Sequence, residues 1–122
     1  MEFNKLAIGT DIEDIERFEG RSPDTDKKFL ERIFTPNELK YCYSKSNDAQ
    51  HLCARYCAKE AVVKAISLYG IKDIYYSDIE VLNCENGAPK CIIKKYPNIE
   101  IKISLSHSKK YSIANVVCYK NN

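Results

Sequence analysis

The chain reads as an α+β domain in which a long central helix packs on a mainly antiparallel sheet, and three observations predict it. The run from Leu52 to Tyr69 is apolar over a helical length, too long for a strand. From Ser77 onward apolar residues recur with a period of two, the pattern of strands with one buried face. A chain of 122 residues holds one modest core and is too small for two, so residues 1–122 are expected to form a single domain.

Residues 5–12, KLAIGTDI, have strand composition, with Leu6, Ile8, Thr10 and Ile12 on one face and Ala7, Gly9 and Asp11 on the other. Gly9 clears room beside Asp11 for a ligand or for another backbone to approach. Asp11 is therefore either a site residue or the N-cap of a helix starting near Glu13. Ile12, Ile15 and Phe18 recur at helical spacing, predicting a short amphipathic helix that Gly20 ends. After the loop RSPDTD, residues 27–34 read as a helix with Phe29, Leu30 and Ile33 inward. Thr35, Pro36 and Glu38 then combine a threonine cap, a proline at the first helical position and the acid of a capping box, opening a helix to about Tyr43.

The polar segment SKSNDAQ precedes the central helix, which Asn47 or Asp48 caps and Gly70 closes. Residues 78–84 and 90–95 form a hairpin about the Asn86-Gly87 turn. Ile99, Ile101, Ile103 and Leu105 alternate with Glu100, Lys102, Ser104 and Ser106 as a half-buried strand. His107 has the parity of the isoleucines and extends their inward face, as a satisfied core residue or as a ligand. Residues 111–119 make the last strand, more fully apolar.

Composition narrows the function. The apolar and charged fractions, 44% and 30%, are those of an ordinary globular protein, and the formal net charge of +2 comes from lysines spread among acids. No nucleic-acid partner is expected on that basis. No apolar run approaches the roughly 18 residues of a membrane span, and MEFNKLAIG lacks a signal-peptide core, so no membrane association is expected. The expected location is the cytoplasm of a bacterium, or the stroma of a plastid if the source is a eukaryote whose transit peptide has been trimmed. Six cysteines contain no CxxC pair; Cys53 and Cys57, one helical turn apart, form with His51 either a partial metal site or small apolar core positions.

Within the central helix the stretch RYCAKEAVVK sets Arg55, Lys59, Glu60 and Lys64 among apolar residues. Burying such charges is costly unless an ion, a ligand or an opposite charge meets them. Asp11 and Glu60 must approach each other if the first strand packs on this helix, and two carboxylates without histidine or thiolate company suit a hard cation such as magnesium, which leaves positions for substrate phosphates. The nearby lysines suit phosphoryl-type transfer; equally, Glu60 and Lys64 are spaced as an ordinary helix ion pair. No glycine-rich phosphate loop is present.

The pair IGTDI (8–12) and RYCAKEAVVK (55–64) resembles the two signature motifs of the 4'-phosphopantetheinyl transferases. FLERIFTPNEL, DIEVLNCENGAP and ISLSHSKKY resemble the holo-[acyl-carrier-protein] synthase branch in particular, over nearly the whole chain and in order. The resemblance implies an enzyme that moves the phosphopantetheine arm of coenzyme A onto a serine of apo acyl carrier protein, releases adenosine 3',5'-bisphosphate and supports fatty acid biosynthesis. It implies Asp11 and Glu60 as magnesium ligands, with the carrier serine giving its proton to Asp11 or a metal-held water and attacking the β-phosphate while Lys64, or Lys59, neutralises the leaving phosphate. Arg55, Lys59, Lys64, Pro89, Ser106 and His107 are implied to contact coenzyme A, and Arg17, Arg21 and Lys28 to meet the acidic carrier. A homotrimer with each active site between neighbouring subunits is also implied. The competing functions are a module that binds the carrier or coenzyme A without transfer and a small nucleic-acid-binding α+β domain that uses its lysines.

Three positions depart from the family pattern. Tyr56 stands where phenylalanine or tryptophan is usual, Ser67 to Gly70 replace a glycine-rich turn beside the coenzyme phosphates, and Ala88 replaces a frequent lysine.

Overall fold

The computed structural model describes residues 1–122. Strand β1 spans Leu6–Asp14, helices α1, α2 and α3 span Lys27–Ile33, Pro36–Tyr43 and Asp48–Ser67, and strands β2 to β5 span Ile79–Asn83, Pro89–Ile93, Ile99–His107 and Tyr111–Lys120. The strands form two antiparallel sheets, one in the order β1-β5-β4 and one β2-β3 hairpin. Helix α3 lies across the three-stranded sheet, with Ala58, Ala61, Val62, Ala65 and Ile66 packed among Ala7, Ala114, Val116 and Cys118. A second cluster joins Phe18, Leu30, Phe34 and Cys42 to Leu52, Cys53 and Tyr56 on another side of the same helix. No helix is long and apolar enough to cross a membrane.

Most local signals hold, but Asn47 occupies the N-cap position of α3 without any side-chain cap bond. Thr35 accepts from the Glu38 amide while Glu38 accepts from the Thr35 amide, so the capping box forms. Gly70 takes φ +81°, the left-handed conformation that stops a helix. Gly87 at φ +83° turns the hairpin, whose register pairs Asn83 with Pro89. Expected and observed bounds differ by a few residues at these ends.

Two expectations about the first strand are corrected. The backbone stays extended through Asp14, paired with Tyr111, and Ile15 donates to the Lys110 carbonyl, so only a 3-10 turn at Ile15–Phe18 replaces the expected amphipathic helix. Asp11 is thus mid-strand and caps nothing. The face toward α3 is the one bearing Ala7, Gly9 and Asp11, whereas Ile8 and Ile12 are 65% and 58% exposed on the outer face. Gly9 explains the choice: a Cβ there would lie 2.0 Å from the Ala61 carbonyl oxygen, so only glycine lets strand and helix backbones touch.

Candidate active site

Because β1 crosses α3 at Gly9, the next inward positions, Asp11 and Glu13, face the helix beside Glu60 and Lys64. Lys64 Nζ lies 3.0 Å from Asp11 Oδ1 and donates also to the Thr10 carbonyl. The bond to Asp11 raises the Lys64 pKa and keeps the ammonium charged. Two thiols on α3 hold this strand: Cys57 Sγ donates to the Asp11 carbonyl at 3.1 Å and Cys53 Sγ to the Glu13 carbonyl at 3.8 Å. All six cysteines are free. Cys53 and Cys57 are therefore core donors rather than part of a metal site with His51, and burial pushes both thiols up.

Glu60 is oriented by two phenols. Tyr56 donates to Glu60 Oε1 at 2.9 Å, and Tyr76, from the 3-10 turn before β2, donates to the same oxygen. Burial first and Glu60 second raise both phenol pKa values, so the hydroxyls stay protonated donors. Burial, then hydrogen bonding and repulsion from Asp11, push the Glu13 carboxyl up to about 7. Asp11 Oδ2 is buried with no hydrogen-bond partner. Lys64 and Arg17 offset part of the charge of Asp11 and Glu13, but three neighbouring carboxylates, one with an orphaned buried oxygen, still fit a hard cation. They do not form a cluster of three or more ligands; Asp11 and Glu60 alone would give the one or two carboxylates that magnesium takes.

A second group lies elsewhere. Arg55, 4% exposed, stacks its guanidinium 4.2 Å above the Tyr41 ring, hydrogen-bonds Asn83, and keeps Nε buried without a partner. With Gln50, Asn83, Pro89, Leu105 and His107 it lines one cavity, and His107 meets Gln50 at 3.2 Å. Arg55 and Glu60 are five residues apart, so they leave α3 in directions about 140° apart. The expected site residues thus fall into two half-sites of one chain.

A model described as the 4'-phosphopantetheinyl transferase superfamily matches residues 7–116. The chain belongs to the 4'-phosphopantetheinyl transferase superfamily. Among its relatives, the holo-[acyl-carrier-protein] synthase of Dehalococcoides mccartyi is 42% identical over 120 residues, covering 92% of this chain and 97% of that protein. That of Protochlamydia amoebophila is 39% identical over 114 residues, covering 89% and 93%. The crystal structure of the Bacillus anthracis holo-(acyl-carrier-protein) synthase in complex with CoA (3',5'-ADP) superposes with a TM-score of 0.77 at 33% identity, covering 94% of this chain and 96% of that one. The Helicobacter pylori synthase in complex with coenzyme A gives 0.76 at 31% identity, covering 91% and 98%.

Several expectations about this transferase need correction. Lys59 has a fully buried side chain, and its ammonium is shared among Glu38 Oε1 at 2.6 Å and the carbonyls of Ile33 and Tyr76 at 2.6 and 3.0 Å. With three donors engaged it has none for a phosphate. Ser106 stands opposite Ile113 in register and does not line the cavity that holds His107, although Ser104, of the same parity, does. His107 is exposed rather than a core residue. The amides of Leu68, Tyr69 and Gly70 bond to Ala65, Ile66 and Ser67 carbonyls, so this turn offers no backbone cradle.

The basic face is also weaker than its residues suggest. Arg17 reaches Glu13 at 3.4 Å, and Arg21 pairs with Asp26 at 3.2 Å and stacks on Phe29. Lys28 is exposed on α1.

Sequence reasoning misses Tyr76 and Glu13 as site residues, and reads Glu38 only as a capping acid, not as the partner of Lys59. The D-x-E spacing of Asp11 and Glu13 on one strand face was a usable signal for Glu13. Nothing local pointed to Tyr76.

Proposed function

We propose that this protein is a magnesium-dependent holo-[acyl-carrier-protein] synthase. It transfers 4'-phosphopantetheine from coenzyme A to a serine of apo acyl carrier protein, releases adenosine 3',5'-bisphosphate, and serves fatty acid biosynthesis. The observation that carries this reading is the meeting of Asp11 and Glu60, from separate motifs, at one face with the Lys64 ammonium on Asp11. Asp11 Oδ2 and Glu60 would hold magnesium, with Glu13 beside them. Magnesium held by these carboxylates would supply neutralisation of the pyrophosphate charge.

The serine oxygen forms its bond to the β-phosphate as the bond to the adenosine bisphosphate oxygen breaks. The serine proton passes to the Asp11 carboxylate or to a water held beside it. Lys64, held charged by Asp11, sits beside this position and offsets charge on the leaving phosphate. Arg55, Asn83 and His107 supply donors suited to the adenosine bisphosphate, and Arg17, Arg21 and Lys28 line the face that meets the acidic carrier.

A homotrimer with the site between subunits accounts for two further features. The half-sites leave α3 on different sides, so a coenzyme lying across a subunit boundary meets one from each chain. The outer sheet face presents Ile8 opposite Val117 and Ile12 opposite Ile113, all exposed, an apolar patch of the kind that partners cover.

The test is incubation with apo carrier, coenzyme A and magnesium. Mass spectrometry is expected to show the carrier gaining one arm, and Glu60→Gln to remove the gain with unchanged circular dichroism. No gain with any of a panel of carriers, at confirmed folding, would overturn the reading.

A further inference from the structure

Glu60 is held in a way that the transferase motifs do not account for. The first motif residue to depart from the family pattern, Tyr56, adds a hydroxyl where phenylalanine or tryptophan is usual, and that hydroxyl lies 2.9 Å from Glu60 Oε1. Tyr76, from outside both motifs, hydrogen-bonds the same oxygen. The two rings lean together with centroids 5.6 Å apart and planes at 59°.

Each phenol is itself fixed. Arg17 Nη1 lies 3.4 Å from the Tyr56 oxygen, with its guanidinium 5.0 Å from the ring centroid. A guanidinium only donates, so the Tyr56 oxygen accepts from Arg17 and its own proton must point to Glu60. Tyr76 is pinned through its backbone, since its carbonyl accepts from Lys59 Nζ at 3.0 Å and that ammonium is anchored on buried Glu38. Lys59 therefore acts on the site through Tyr76, from inside the core.

Two donors on Oε1 occupy both of its acceptor directions. Oε2 receives neither phenol. We propose that Tyr56 and Tyr76 are paired positioning residues that clamp one oxygen of Glu60 and thereby aim the other at the cation. The inference rests on the metal reading of Asp11 and Glu60. It assigns to this chain an outer hydrogen-bond shell of the kind that commonly sets metal affinity.

The full-length protein tests it, with Mn2+ as the probe in calorimetric titration. Tyr56→Phe and Tyr76→Phe are each expected to weaken Mn2+ binding, and the double variant to raise Kd about 10- to 100-fold, with far-ultraviolet circular dichroism unchanged. In the transfer assay the magnesium concentration for half-maximal rate is expected to rise, and saturating magnesium to restore most of the turnover. A merely structural role would not be rescued by metal. A double variant that binds Mn2+ within about twofold of the parent would overturn the clamp while leaving the metal reading intact. A parent that binds no Mn2+ in a Glu60→Gln-sensitive way would overturn the metal reading and the clamp with it.

Discussion

Lys59→Met separates two roles that the sequence motif alone leaves merged. In the structure the Lys59 ammonium and the Glu38 carboxylate are both fully buried and 2.6 Å apart. Removing one partner of a buried pair costs about 3–5 kcal/mol, because the remaining charge has no water to return to. Glu38 keeps two donors, the Thr35 and Val81 amides, each at 2.8 Å. The Ile33 and Tyr76 carbonyls lose theirs. The expected loss is therefore about 3–4 kcal/mol out of a total on the order of 5–15. For a chain of this length that lowers Tm by about 10–15 °C.

The measurement is thermal unfolding followed by circular dichroism, with Lys64→Ala as the control. Lys64 is 56% exposed and its partner Asp11 9%, so its removal is expected to cost less than that of Lys59 while reducing transfer strongly. The reasoning fails if Lys59→Met melts within about 3 °C of the parent and yet loses transfer. That result would return Lys59 to the phosphate.

Gly9→Ala is expected to destabilise by about 3 kcal/mol or more and to lower transfer, since the new Cβ would meet the Ala61 carbonyl at 2.0 Å and push Asp11 from the helix; urea denaturation and the transfer assay check both. The raised Glu13 carboxyl holds a proton in the folded chain that the unfolded chain releases near its ordinary value of 4.5. Without metal, its contribution to stability is full below about 4.5 and is lost as pH rises through about 7, so Tm should fall across that window and Glu13→Gln should flatten the fall. Magnesium should accordingly raise Tm more at pH 7.5 than at pH 5.5. Val117→Glu places a charge on the exposed apolar outer face, 44% exposed, and is expected to shift the assembly toward monomer in light scattering.

What the chain determined by itself was everything set over a few residues. The capping box at Thr35 and Glu38, the stop at Gly70, the hairpin at Gly87 and the alternation through Ile99 to Leu105 each depend on local hydrogen bonds or on side-chain parity, and each is visible in sequence. Tertiary structure decided which face and which partner. The alternation of β1 separates its two faces in sequence, but only the close approach at Gly9 decides that Ala7, Gly9 and Asp11 face the helix while Ile8 and Ile12 face outward. Lys59 and Lys64 carry the same chemistry one turn apart or so on α3; only packing sends one to Glu38 in the core and the other to Asp11 at the surface. Glu60 was legible from its motif, whereas the Tyr76 hydroxyl reaches it from a turn that no short-range pattern connects to the helix. Charge burial and carboxylate orientation depend on distances between segments remote in the chain, and those exist only once the sheet and α3 have packed.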